Sequence, residues 1–292
     1  LKFCRFQSGG ETALGVLDHD TIYDLTGVNN ITFKDLNSLY AAAESDVFKM
    51  VEIATDGMKK ARKVSYSYNL LKIPVKPAEI WAAGVTYMRS RQARESETKS
   101  KGLYDYVYEA KRPELFLKDS GARCRGPSEE VAVRSDSSWS VPEPELTVLC
   151  DRDAKVVGYT CGNDVSSRDI EGENPLYLPQ AKVYRWSSAV GPVIVTPDEI
   201  GDPHSLEIKM RIYRDGKQAF QGSTNTSQMK RSVPELLSFL KRDNDIETFT
   251  LLMTGTSIVP ADDFTLQTGD RVEVEIEKIG ALANPVRKLQ SS

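Results

Sequence analysis

The feature that most constrains this chain is a pair of glutamates two residues apart, in Pro142-Glu143-Pro144-Glu145-Leu146-Thr147-Val148-Leu149-Cys150. Side chains alternate across a strand, so Glu143, Glu145, Thr147 and Leu149 share one face, and Pro144, Leu146, Val148 and Cys150 share the other. Asp151-Arg152-Asp153-Ala154-Lys155 is a polar turn, and Val156-Val157-Gly158-Tyr159-Thr160-Cys161 reads as a strand running back. A hairpin centred near Asp153 then returns Asp164 beside Glu143. Three carboxylates held this close repel one another, and either protons or a cation must relieve them. Oxygen-only ligands favour Mg²⁺, Mn²⁺ or Ca²⁺ over zinc. The pattern alone admits two readings: a solvated edge hairpin with its acids in water, or a site for one divalent cation.

Other chemistries are excluded by what the chain lacks. Its two histidines, His19 and His204, stand in polar turns, Asp18-His19-Asp20 and Asp202-Pro203-His204, and read as solvated loop residues. No G-x-S-x-G, P-loop or G-x-G-x-x-G is present. Lys and Arg number 38 against 42 Asp and Glu, a net charge of −4 that gives no nucleic-acid surface. The four cysteines form no C-x-x-C pair, which argues against a zinc knuckle or redox site and for a reduced cytosol. No stretch of roughly 18 apolar residues occurs, so neither a membrane span nor a signal peptide is expected.

Short alternating strands at Leu1 to Gln7, Thr12 to Leu17 and Thr21 to Leu25 predict a small antiparallel sheet. Thr32 is placed to cap a helix carrying Leu36, Leu39 and Tyr40, and a second helix is expected from Ser45. Lys72-Ile73-Pro74-Val75-Lys76-Pro77 breaks regular structure, which sets a small N-terminal α+β domain over 1–76 and a main domain over 77–292. Glu79 to Val85 is a buried strand whose Gly84 permits close approach by a ligand or neighbouring strand. Arg89, Arg91, Arg94, Lys99 and Lys101, interleaved with Glu95 and Glu97, form either an exposed helix laced by ion pairs or a mobile lid. Strands at Glu130 to Arg134, Leu206 to Tyr213, Phe249 to Met253 and Val272 to Ile276 follow. An Asp215-Gly216 turn and a Ser232-Val233-Pro234-Glu235 helix start complete the pattern. The fold class is α+β and mostly β.

The stretch Gly158-Tyr159-Thr160-Cys161-Gly162-Asn163-Asp164-Val165-Ser166-Ser167-Arg168-Asp169 is followed by Ala181-Lys182 and Gly191-Pro192-Val193-Ile194-Val195-Thr196. With Glu143-Pro144-Glu145-Leu146 before it and Thr254-Gly255-Thr256 after it, this order resembles the catalytic domain of the fumarylacetoacetate hydrolase superfamily, over about Pro77 to Val286. Thr86 to Glu95, Tyr104 to Tyr108 and Arg112 to Lys118 are similar to its sugar-acid branch. The resemblance implies a rolled mixed β-sheet with a metal at its mouth, and a homo-oligomer, a dimer or tetramer. Glu143, Glu145 and Asp164 would then hold Mg²⁺, with Mn²⁺ or Ca²⁺ able to replace it, and chelate a small-molecule 2-oxo sugar acid.

The implied reaction is dehydration of a 2-keto-3-deoxy pentonate to 2,5-dioxopentanoate, in pentose catabolism. Lys182 matches the superfamily lysine beside the metal, where a nearby cation and partial burial would disfavour its charge. Lys182 and Glu114 would divide the proton transfers as base and acid, the order left open. Lys182, Thr256, Arg89 and Lys118 would face substrate. Thr256 would use its hydroxyl and N–H to cradle a carboxylate. The hydrolase branch carries a histidine and a glutamate after the position of Thr86-Tyr87; here Met88-Arg89-Ser90-Arg91 has no histidine, which favours a dehydratase. An acylpyruvate-type hydrolase or an oxaloacetate decarboxylase would use the same pocket. A non-catalytic module holding structural Ca²⁺ is the reading of another class.

Overall fold

The structure, a computed structural model, describes residues 1–290. The acidic hairpin lies near the centre of an eleven-stranded mixed sheet. Strand Pro144–Cys150 pairs antiparallel with Val156–Asp164 on one side and with Thr250–Met253 on the other. Thr250–Met253 runs parallel to Ile80–Gly84, which pairs in turn with Glu114–Asp119. Because the hairpin is interior to the sheet, both of its edges are paired, and packing covers both of its faces. Leu146, Val148 and Cys150 enter a core shared with a second, five-stranded sheet containing Glu207–Arg214 and Arg271–Ile276. Leu149 packs on the opposite face, with Met253, Leu251 and the helices Leu36–Ala42 and Val47–Met58. Burying each such leucine contributes roughly 1.5–3 kcal/mol. The glutamates occupy the end of that second face, where the apolar packing stops.

The N-terminal strands do not stand as a separate small sheet. Lys2–Ser8 pairs with Ser188–Val195, and Glu11–Asp18, Thr21–Asp24 and Arg62–Ser65 extend the large sheet outward from it. The first helix is capped by Asp35, whose carboxylate accepts from the Ser38 N–H at 2.8 Å, rather than by Thr32. The second begins at Val47 behind Asp46. Ser232 caps Val233–Lys241 as its sequence indicates, and the turn at Asp215-Gly216 joins Glu207–Arg214 to Lys217–Asn225. His204 is not simply solvated: its Nε2 accepts from the Val233 N–H at 3.2 Å, at the start of the same helix. Among the described residues no helix is long and apolar enough to cross a membrane.

Candidate active site

Pairing of Pro144 with Asn163 and of Glu145 with Gly162 brings the end of the return strand beside the glutamates. The Asp164 N–H donates to the Glu143 carbonyl at 2.9 Å. One carboxylate oxygen each from Glu143, Glu145 and Asp164 lies within 4.8 Å of the other two, and all three residues are buried. Ligands about 2.1 Å from a Mg²⁺ on an octahedron stand roughly 3 to 4 Å apart, so small side-chain rotations close the set.

Cationic side chains hold these carboxylates from behind. Lys182, at the end of helix Leu178–Lys182, donates to Glu143 Oε2 at 2.9 Å, Asp164 Oδ2 at 3.1 Å and Ser166 Oγ at 2.6 Å. Lys118 is wholly buried, with Nζ 2.6 Å from Asp164 Oδ1, and also donates to the carbonyls of Val165 and Lys182. Arg94 donates to Glu143 Oε1 at 2.6 Å, and Arg168 Nη2 is 3.2 Å from the same oxygen. Arg94 Nη1 stands 2.8 Å from Glu171 Oε2 and 3.6 Å from Glu97 Oε2, while Arg168 donates to Glu97 Oε2 at 2.6 Å.

Two glycines are needed for close approach. Gly255 has φ +97°, and a Cβ there would fall 1.9 Å from Thr86 Oγ1; its N–H donates to Glu145 Oε2 at 2.6 Å. Gly84 pairs with Glu114, and a Cβ on it would lie 2.0 Å from Glu114 Oε2. The space reserved in the sequence at Gly84 is therefore filled by the Glu114 carboxyl.

These groups differ sharply in proton affinity. Burial, with the charges of Asp164 and Glu143 added, holds the Glu145 carboxyl well above the usual range. Burial also pushes Glu143 up, but Lys182, Arg94 and Arg168 outweigh it and hold Glu143 well below. Burial opposes the charge on Lys182, yet Asp164 and Glu143 overcome it and the ammonium is favoured. The sequence-based expectation of a disfavoured charge on Lys182 supposes a cation bound beside it; with the carboxylates alone around it the ammonium is favoured. Glu114 is pushed up to about 7, chiefly by burial and then by Glu171, against Arg94 and Lys182.

Glu143, Glu145, Asp164, Lys182, Glu114 and Thr256 line one pocket, together with Gly84, Arg94, Tyr104 and Glu171. The Thr256 hydroxyl accepts from the Ile258 N–H at 3.3 Å, and the N–H that meets a carboxylate belongs to Gly255. Two expected substrate contacts are placed elsewhere. Lys118 sits behind Asp164, off the pocket wall, and Arg89 lies on the exposed face of helix Met88–Glu97. Arg94, one helical turn and a residue further on, reaches the site instead. Arg94, Glu97, Arg168, Glu171 and the Gly255 N–H were not picked out as site groups from the sequence. Arg168 stood within the motif Val165-Ser166-Ser167-Arg168-Asp169, whereas Arg94 was one cation among five in a polar segment.

The residues fit a divalent cation. A fully buried carboxyl whose proton affinity is raised by burial and by two further carboxylates beside it belongs to the donor set of a hard-cation site. The pocket's free volume of about 20 Å³ holds a water-sized group and no sugar acid. Arg94, Ser90 and Tyr104 line it from helices Met88–Glu97 and Leu103–Glu109, so admitting a larger ligand requires these side chains or the helices that carry them to shift.

The profile of the Fumarylacetoacetate (FAA) hydrolase C-terminal family matches residues 79–287. A Haloferax volcanii protein described as a probable 2-keto-3-deoxyxylonate dehydratase is 46% identical over 288 residues, covering 98% of this chain and 99% of its own. The 2-dehydro-3-deoxy-D-arabinonate dehydratase of Saccharolobus solfataricus is 48% identical over 230 residues, 77% of each chain. A solved 2-keto-3-deoxy-D-arabinonate dehydratase, complexed with magnesium and 2,5-dioxopentanoate, superposes with a TM-score of 0.83 at 38% identity and covers 100% of both chains. With its rolled sheet, its carboxylate triad and these matches along most of its length, the chain belongs to the fumarylacetoacetate hydrolase family.

Proposed function

We propose that this chain is a Mg²⁺-dependent hydro-lyase that converts a 2-keto-3-deoxy pentonate to 2,5-dioxopentanoate, a step of pentose catabolism. The observation that carries the reading is the buried set of Glu143, Glu145 and Asp164 with Lys182 on two of them and Glu114 in the same pocket. It is supported by a 46% identical dehydratase relative that spans nearly the whole chain.

Glu143, Glu145 and Asp164 would hold the cation. When bound, it supplies Lewis acidity at the carboxylate and keto oxygens of a 2-oxo acid, which acidifies the C3 proton. Lys182, kept as an ammonium by its carboxylate neighbours, uses its three N–H donors on Glu143, Asp164 and Ser166 and so fixes the orientation of the two carboxylates. Glu114, near 7, is suited to exchange a proton at neutral pH. In this assignment it takes the proton from C3, and the freed electron pair forms the C3–C4 double bond. The C4 hydroxyl leaves with a proton from Glu114 as water; loss of a C5 proton and protonation at C3 then give the C5 enol, which takes a proton at C4 and loses its hydroxyl proton to become the aldehyde. Thr256 lines the wall where the substrate carboxylate would lie.

We further place the protein in a reduced compartment, the cytoplasm, in keeping with four unpaired cysteines, and assign it a homo-oligomeric state testable by light scattering. Residues 1–76 we treat as an N-terminal unit joined to the catalytic part through the shared sheet. The function is tested by a panel of 2-keto-3-deoxy sugar acids incubated with Mg²⁺ and read by product mass. Loss of one water from a five-carbon acid supports the reading; release of pyruvate or CO₂, the hydrolase or decarboxylase outcome, removes it.

A further inference from the structure

The Glu171 carboxylate is not needed to hold a cation, nor is it one of the groups given a proton to move. Yet it is buried, lines the pocket and faces Arg94, which among the described residues is the one arginine that also does so. Arg94 is itself buried and is surrounded by three carboxylates: Glu143 at 2.6 Å, Glu171 at 2.8 Å and Glu97 at 3.6 Å. An arginine in a pocket that takes a 2-oxo acid is the natural partner for a second carboxylate on the ligand. Here its charge is already matched by carboxylates of the protein. Glu97 is engaged by Arg168, and Glu143 is shared with Arg168 and Lys182, so Glu171 is the carboxylate whose main cationic partner is Arg94.

We propose that Glu171 is a specificity-determining residue: by neutralising Arg94 it turns that end of the pocket from an anion site into a hydroxyl site, and excludes 2-oxo diacids. The inference rests on the 2-oxo acid reading and deepens it. A distal carboxylate would meet the charge of Glu171 with no free cation among the described pocket residues to pair it, and like charges brought together in a buried site oppose binding strongly. A distal hydroxyl meets an acceptor instead. Glu171 Oε2, although close to Arg94 Nη1, lacks a hydrogen bond of good geometry and is among the buried oxygens left without one. A hydroxyl on C4 or C5 of a sugar acid can donate to it, which satisfies an otherwise orphaned acceptor. Tyr104 lines the same wall, and burial pushes its phenol up to about 12, so it presents a neutral hydroxyl there and no positive charge to attract an anion.

The test compares binding of 2-oxobutyrate, a monoacid, with 2-oxoglutarate, a diacid, by calorimetry in the presence of Mg²⁺. Wild type should bind the monoacid more tightly. Glu171→Gln, nearly the same shape without the charge, should free Arg94 and shift the ratio toward the diacid by about tenfold or more, the scale of one restored charge pair. Glu171→Asp, which keeps the charge, should hold the wild-type ratio and controls for disturbed packing. A ratio for Glu171→Gln within about twofold of wild type, or wild type preferring 2-oxoglutarate, overturns the assignment. If wild type binds neither acid, the 2-oxo acid reading itself fails and this inference falls with it.

Discussion

Loading the site with Mg²⁺ should expel a proton, and Glu145 is its source. In the metal-free protein burial, Asp164 and Glu143 raise the Glu145 carboxyl well above its ordinary value, so the folded state keeps a proton that an unfolded chain gives up. The cation can accept Glu145 as a ligand only once that proton has left. Below the raised value, each pH unit therefore changes the Mg²⁺ dissociation constant about tenfold, or about 1.4 kcal/mol. Glu143 does not add to this slope, because Lys182, Arg94 and Arg168 already keep it ionised. The linkage has a second consequence with a fixed sign. A carboxyl raised by folding makes the folded state the better proton binder, so metal-free stability falls as pH rises from the ordinary carboxyl range toward the raised value. Saturating Mg²⁺ should reverse that fall. Calorimetric titrations in buffers of different ionisation enthalpy, run below the raised value, should report a proton released on binding Mg²⁺. Glu145→Gln should remove the release and weaken binding. Affinity independent of pH with no proton released would refute the reasoning.

Three further outcomes follow from particular contacts. Glu114→Gln should lower turnover by roughly two to four orders of magnitude while 2-oxobutyrate and Mg²⁺ still bind; wild-type turnover should rise with pH and be half-maximal near pH 7, where Glu114 titrates. Equal rates for the two proteins would make Glu114 a bystander. Helices Met88–Glu97 and Leu103–Glu109 leave a pocket of about 20 Å³, so limited proteolysis within residues 89–101 should slow when a 2-oxo acid and Mg²⁺ are added; identical cleavage with and without ligand would contradict a moving cover. Gly255→Ala places a methyl 1.9 Å from Thr86 Oγ1 at φ +97°, and should cost about 2 kcal/mol or more, lower Tm by several degrees and weaken Mg²⁺ binding by displacing the backbone N–H that donates to Glu145.

How much of this was legible in the sequence depended on the range of the interactions. Alternation over Pro142 to Cys150 and the turn at Asp153 are local, and they sufficed to bring Glu143, Glu145 and Asp164 together. The pairing of Lys2–Ser8 with Ser188–Val195 joins segments nearly two hundred residues apart, and neither strand carries a local mark naming its partner. Buried charge is equally hard to read. Arg89 and Arg94 lie in the same polar helix, and only the carboxylates of Glu143 and Glu171, supplied by distant elements, make one a pocket residue and leave the other in solvent. The same holds for Lys182, whose charge state follows from the balance of carboxylates around it and not from burial alone. Lys118 was singled out by position, and its place behind Asp164 became visible only with the fold.

The central claim is tested most directly by incubating the protein with 2-keto-3-deoxy-arabinonate and Mg²⁺ in deuterium oxide and following the products by NMR. The account predicts 2,5-dioxopentanoate carrying solvent deuterium at C3, no reaction after chelation of the metal, and a loss of turnover in Glu145→Gln. Formation of pyruvate, release of CO₂, unlabelled C3 or turnover that survives removal of the metal would contradict it.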